Sequence, residues 1–302
     1  MKKRKQHYVW RHYLKPWSTD NKIFCLRNNK VFESNLMGIA NERDFYRLKE
    51  LTQEDINFIH MLAIKPSPVI LQSLHTNLMK QFNLVFELKN YAHVQGIKDS
   101  ELKTRLEEIE NNHEEDFHGQ IESSAIKYLE SILSSNIEFF STDEGYMEFV
   151  YFLCVQYTRT KKIKTRVLSI VKPPPNIDFE KIWNILSHIF ATNMGASLYV
   201  DRHAYQLVLL DNQSSIQFIT GDQPVVNTYA SGDPKIPTQQ LEFYYPVSPS
   251  AAVLLTKKEK YGGDNKHLIS AVEVSTYNEF IERNKYEQIY AASKSALEEY
   301  TS

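Results

Sequence analysis

The chain has 302 residues, a formal net charge of −2, 42% hydrophobic residues and 12% aromatic ones. That length suits one large domain or two modest ones, and the aromatic content excludes a mainly disordered chain. The charge balance excludes a global basic field, so any contact with nucleic acid must come from a local patch.

The N-terminus, Met1-Lys2-Lys3-Arg4-Lys5-Gln6-His7, starts like the basic region of a secretory signal. No apolar stretch follows, because Arg11, His12 and Lys15 interrupt it. No run approaches the ~18 apolar residues of a membrane-spanning helix. Cys25 and Cys154 are far apart and form no CxxC, which argues against a disulfide framework and a cysteine zinc site. The expectation is a soluble, cytoplasmic protein with reduced thiols and no membrane partner.

In chain order, Lys22–Arg27 and Lys30–Glu33 alternate around Asn28-Asn29 and predict a hairpin. From Thr52 the pattern turns helical, with Thr52 and Asp55 spaced as a capping box. After Pro66 and Pro68, Leu71, Leu74, Leu78, Phe82 and Phe86 recur near a period of 3.6. Residues 99–118 are dominated by acids and read as a solvated helix or an acidic loop. Further helices are expected over His118–Leu133, from Thr142, and over Phe179–Leu198. Pro173-Pro174-Pro175 cannot continue a helix and marks a sub-domain boundary, dividing 1–172 from 176–302 within one domain. Tyr205–Leu210 and Ser215–Thr220 read as a hairpin. Leu241–Val247 and Ala251–Leu255 read as strands around Ser248-Pro249-Ser250, residues 268–284 as a helix, and Glu287–Ala291 as a last strand. The fold class is α+β: a helical N-terminal and middle part packed on a mainly antiparallel sheet formed by the C-terminal third with N-terminal strands.

Several polar residues stand out. Asp222 lies where an apolar strand, Gln217–Thr220, meets a polar turn closed by Pro224, a place from which a carboxylate can face solvent or a ligand. His7 could supply a general base or a metal ligand; the plainer reading is a histidine in an aromatic cluster. Gln156 and Arg159 project from one face of an apolar helix, so Arg159 needs either a carboxylate partner or an anionic ligand. Lys161, Lys162, Lys164 and Arg166 form a basic run that could grip a nucleic-acid backbone or simply be a solvated loop. Glu115 and Glu122 sit two turns apart on one helical face, as metal-binding acids or as surface charge. GxGxxG, P-loop, HExxH and GxSxG motifs are absent.

Four stretches together resemble one family. They are His7-Tyr8-Val9-Trp10-Arg11-His12-Tyr13-Leu14-Lys15-Pro16-Trp17, Gln156-Tyr157-Thr158-Arg159-Thr160, Phe218–Val225 and Tyr245-Pro246-Val247-Ser248-Pro249. In this order they are similar to the signatures of the largely prokaryotic family DUF4238, whose function is uncharacterised. Trp10 replaces the family's usual proline, Trp17 its phenylalanine, and Gly221-Asp222-Gln223 its Ser-Asp-Asn. The resemblance implies that His7, Gln156, Arg159 and Asp222 meet in space, joined by Glu122 and Asn278.

Such a convergence suggests a site. The first expectation is a phosphodiester hydrolase, nuclease-like, of a prokaryotic defence or toxin-like system. His7, Gln156, Arg159 and Asp222 would be catalytic, Arg11, Lys161, Lys162 and Asn278 would hold substrate, and Asp222 with Glu122 would bind Mg or Mn. Its partner would be a nucleic acid or nucleotide. The rival is a non-enzymatic sensor binding a nucleotide or small anion through Arg159 and Gln156. A third reading is a scaffold whose polar cluster locks the helical part to the strands.

Overall fold

The computed structural model describes residues 1–236 and 238–301. Strand β1 (Lys5–His7), a one-turn helix α1 (Arg11–Leu14), the hairpin β2 (Lys22–Arg27) and β3 (Lys30–Asn35), and β4 (Asn41–Arg43) come first. Asn28 and Asn29 turn the hairpin at φ 51° and 58°, a left-handed conformation that asparagine tolerates. β4 folds back antiparallel on β1. The helical part follows: α2 (Gln53–Ile59), α3 (Val69–Val94), α4 (Ser100–Leu133), α5 (Asp143–Thr158), α6 (Lys161–Ile170) and α7 (Phe179–Val200). The Thr52 and Asp55 capping box is formed, with Asp55 Oδ2 accepting from the Thr52 N–H at 2.8 Å and Thr52 Oγ1 from the Asp55 N–H at 3.2 Å.

The C-terminal third supplies β5 (Tyr205–Asn212), β6 (Thr220–Gly221), β7 (Val226–Asn227), β8 (Phe243–Ser248), β9 (Ala251–Lys257), β10 (Lys266–Ile269), α8 (Ala271–Asn284), β11 (Gln288–Ala291) and α9 (Ser295–Glu298). One five-stranded sheet has the order β10-β5-β9-β8-β7, with only β10 and β5 parallel. A four-stranded sheet, β3-β2-β11-β6, is antiparallel throughout and joins the N-terminal hairpin to the last strand. The α+β class, and the sharing of a sheet by the two ends of the chain, are as the sequence predicts.

Three elements differ from the sequence reading, one being the basic run Lys161–Arg166, which lies in helix α6 and not in a solvated loop. Ser100–Leu133 make one helix of 34 residues rather than two segments. Its acidic half is not simply solvated, since Glu110 and Glu114 are buried. The expected hairpin of Tyr205–Leu210 with Ser215–Thr220 does not form. β5 pairs with β9 and β10 instead, and Phe218 runs along the other side, its N–H bonded to Pro249 O at 2.9 Å. The apolar alternation identified extended chain correctly but held no information on its partner.

Three apolar clusters form the core. The largest joins Leu14 and Trp17 to Phe149 and Phe152 of α5, to Leu209 and Phe243 of the five-stranded sheet, and to Tyr290 of β11. Each such fully buried side chain contributes about 1.5–3 kcal/mol. A helical cluster contains Phe58, Phe82, Ile163 and Trp183, so residues on both sides of the proline triplet share one interior. Among the described residues, no helix is long and apolar enough to cross a membrane.

Candidate functional site

Helix α4 carries its polar residues inward. Glu114, Glu115, His118 and Glu122 lie at spacings of one, four and eight from the first, which gathers them on the face turned toward β1, α5 and α7. Asp99 starts the helix, its side chain accepting from the N–H groups of Glu101 and Leu102. Opposite Glu122 stands Arg159, the residue that closes α5. Its Nη1 donates to Glu122 Oε1 at 2.5 Å, its Nε to the Tyr46 hydroxyl at 2.7 Å and its Nη2 to His7 O at 2.8 Å. The carboxylate partner, one of the two options open for Arg159, is Glu122, and every guanidinium nitrogen is engaged. Glu115 takes the backbone N–H of His7, so the His7 peptide is gripped from both sides.

The seam holds more acid than base. Three carboxyl groups, Glu114, Glu115 and Glu122, face the single guanidinium of Arg159. Burial pushes the Glu115 carboxyl up to about 7 and raises Glu122 and, further, Glu114; Arg159 pulls against the shift in each. Glu115 Oε2 is buried with no hydrogen-bond partner, while the residue as a whole is half-buried. The Gln156 amide lies close enough to Glu122 to oppose its upward shift, yet its Nε2 makes no hydrogen bond of normal geometry. Burial and the cations Arg11 and Lys5 lower His7 to about 4, and its Nε2 is likewise unpartnered.

One turn further along, α4 and α7 bring together Glu114, His118 and His188. All three are 1% exposed. Glu114 Oε1 lies 3.5 Å from His118 Nε2 and 3.7 Å from His188 Nε2, too far for hydrogen bonds. The two imidazoles stack at 4.9 Å, and none of their four ring nitrogens has a hydrogen-bond partner. Among the described residues these are the groups whose geometry could hold a metal ion. Glu-x-x-x-His on α4 was visible in the sequence, but nothing local pointed to His188 as its complement.

The remaining predicted residues lie elsewhere. Asp222 does not face solvent. It is buried, and its carboxylate accepts three consecutive backbone N–H groups, Tyr286 on Oδ1 at 2.7 Å and Glu287 and Gln288 on Oδ2 at 2.7 and 2.9 Å. Burial still pushes it up to about 6 against those bonds. No hydrogen bond joins Asp222 to His7, Gln156 or Arg159, and it shares no ion-holding geometry with Glu122, whose carboxylate is committed to Arg159. Asn278 clamps the segment that leads into β6, accepting from Ile219 N–H at 3.0 Å and donating to Gln217 O at 2.8 Å. Lys161 pairs with Glu42 and sits over the rings of Tyr8, Phe45 and Tyr286, while Lys162 donates to Lys285 O at 3.2 Å. Arg11 is exposed and contacts the Met37 sulfur.

The four sequence signatures do meet, through residues that sequence reasoning gave no functional role. Tyr13 Oη bonds Thr220 Oγ1 at 2.6 Å and donates to Pro246 O at 2.7 Å. Trp17 Nε1 donates to Phe218 O at 3.1 Å. Thr160 donates to Gln223 Oε1, and Gln223 Nε2 donates to Val225 O at 2.6 Å and to Tyr157 O at 3.3 Å. These bonds stitch the N-terminal segment, the end of α5, the 218–225 turn and β8 into one lattice. Comparison with known proteins agrees with that reading of the signatures. No curated protein and no solved structure matches the chain. Residues 5–295 match the family described as "Protein of unknown function (DUF4238)", and the chain belongs to that family.

Proposed function

We propose that the seam on α4 is the active site of a cation-assisted hydrolase that acts on phosphodiester bonds in small substrates such as nucleotides. The observation that carries this reading is the charge balance: three carboxyl groups, Glu114 and Glu122 buried and Glu115 half-buried, against one guanidinium whose nitrogens are already taken. A surplus of buried acid is relieved by a cation, whereas an anion sensor would need the free donors that Arg159 lacks. Glu115, with Oε2 buried and unpartnered, is the group left to act on a water admitted to the seam. It would accept the proton of an attacking water as the new O–P bond forms; the ester P–O bond breaks, and the leaving oxygen takes a proton from solvent. Glu122, Arg159 and Tyr46 hold the His7 peptide against Glu115 and act as positioning residues.

A small substrate fits better than a polynucleotide because five of the eight basic side chains in the two runs pair with acids within the chain. Lys2 pairs with Glu107, Lys3 with Asp116 and Arg4 with Asp44. Lys161 pairs with Glu42 and Lys164 with Glu180. That leaves less charge to displace counterions from a nucleic-acid backbone. For Arg159, Asp222 and Asn278 themselves, a scaffold role is favoured by their saturated bonding to backbone and to Glu122.

The test is an assay of the purified chain, loaded with Zn2+, Mn2+ or Mg2+ in turn, against cyclic nucleotides, dinucleotides and single-stranded DNA and RNA. Turnover of the small diesters is expected, with Glu115→Gln losing roughly 100-fold or more while keeping its circular dichroism. A metal-loaded chain that turns over none of them sinks the hydrolase reading.

A further inference from the structure

We infer that Glu114, His118 and His188 form a three-ligand site for one divalent transition-metal ion of the zinc type. The distances carry the inference. A tetrahedral ion with bonds of about 2.1 Å holds neighbouring ligand atoms about 3.4 Å apart. Glu114 Oε1 stands 3.5 and 3.7 Å from the two Nε2 atoms, and one donor atom from each of the three residues lies within 4.8 Å of the others, so the three groups are placed to close on one ion. Without an ion the same arrangement is hard to account for. Five polar atoms, Glu114 Oε2 and both nitrogens of each imidazole, are buried with no hydrogen-bond partner. Buried polar groups are as a rule paired, and each unpaired one costs about 1–3 kcal/mol.

The frame around the three groups is built to aim them. Glu114 and His118 are one turn apart on a continuous helix, so their side chains stand one above the other. His188 arrives from α7 and is set by rings: Phe117 at 4.9 Å and Phe82 at 5.8 Å, with Tyr46 lying 4.8 Å from His118. Asn184, also on α7, contacts the Glu114 carboxylate and serves to orient it. Burial keeps both imidazoles in the neutral form that donates a lone pair. Arg159 is a nearby cation that opposes an ion there, and Glu122 neutralises it at 2.5 Å.

The ligand set selects the ion. Two imidazoles and one carboxylate suit Zn2+, Co2+ or Fe2+, and Mg2+, which wants oxygen and several waters, is disfavoured. Three protein ligands leave a position open, as in sites that act on a substrate rather than only hold a fold. The inference rests on the same surplus of acid as the hydrolase reading, but binding needs no substrate. Ion binding without turnover would therefore overturn the reaction and leave the site standing.

The experiment uses the full chain stripped by chelator and titrated separately with Zn2+, Co2+ and Mg2+. One Zn2+ per chain is expected, with a rise in melting temperature, a Co2+ visible spectrum of low coordination number and no response to Mg2+. In the wild-type chain Zn2+ should shift the ring nitrogen signals of two histidines. Glu114→Gln and His188→Phe, the second of which fills its space with an apolar ring, should weaken Zn2+ binding more than about 100-fold. Failure to bind Zn2+, equal binding of Mg2+, unmoved histidine signals, or folded variants that bind like the wild type would each overturn the site.

Discussion

Asp222 shows how a residue in a favourable place for chemistry can be fully used by the fold. Three N–H groups converge on one carboxylate, and asparagine can replace only one of its oxygens. Asp222→Asn should therefore leave buried donors unpaired and destabilise the chain by roughly 2–4 kcal/mol, read as a lower denaturant midpoint. An unchanged midpoint would show that the clamp is dispensable. Arg159 makes the matching case for charge. Arg159→Met strands Glu122 and should cost roughly 3–5 kcal/mol, most of which Glu122→Leu in the same chain should restore. His7 supplies a pH signature. Its imidazole is lowered to about 4, below its ordinary 6.5, so above 6.5 the folded and unfolded chains are both neutral there and nothing is lost. Below 6.5 the unfolded chain takes up a proton that the fold refuses, and stability falls until about pH 4. The full shift is worth roughly 3 kcal/mol, and the half-open ring reduces that to about 2. The difference between wild-type and His7→Asn stability curves should show this fall; parallel curves would remove His7 from it.

Among the elements, those with local turn or cap chemistry were legible from sequence: the Asn28-Asn29 hairpin, the Thr52 cap, and β8 with β9 around Ser248–Ser250. The long helix α4 was misread at its acidic half because the partners that let Glu110 go inside, Arg47 and Lys89, come from other elements. The candidate site was legible in part for the same reason. Glu115 and Glu122 share a helix face that spacing reveals, whereas His188 joins Glu114 only when α7 packs on α4. Two glycines test the helices from opposite directions. A Cβ on Gly145 would meet Phe139 O at 2.1 Å, so Gly145→Ala should cost roughly 1–3 kcal/mol by overpacking the start of α5. Gly119, inside α4, has nothing within 4 Å of such a Cβ, so Gly119→Ala should stabilise by about 0.5–1 kcal/mol in a thermal melt.

For the whole molecule, the proline triplet invites a division that the core does not follow. Ile163 and Trp183 lie in one apolar cluster, and α5 packs with α7 across the triplet. Melts followed by near-ultraviolet and far-ultraviolet circular dichroism should therefore coincide in one transition; two separated transitions would mean that the parts on either side of 173–175 unfold independently. The four-stranded sheet carries a consequence for the order of events during synthesis. β2 and β3 leave the ribosome early, but the partner of β2 is β11, more than 250 residues later. The hairpin must wait with an open edge while the helices and the other sheet form, and the loop that finally closes is nearly the whole chain. High contact order of this kind slows folding and exposes an apolar strand to neighbouring chains. Release of Gln288–Ala291 is thus the step that seals the edge of the early hairpin.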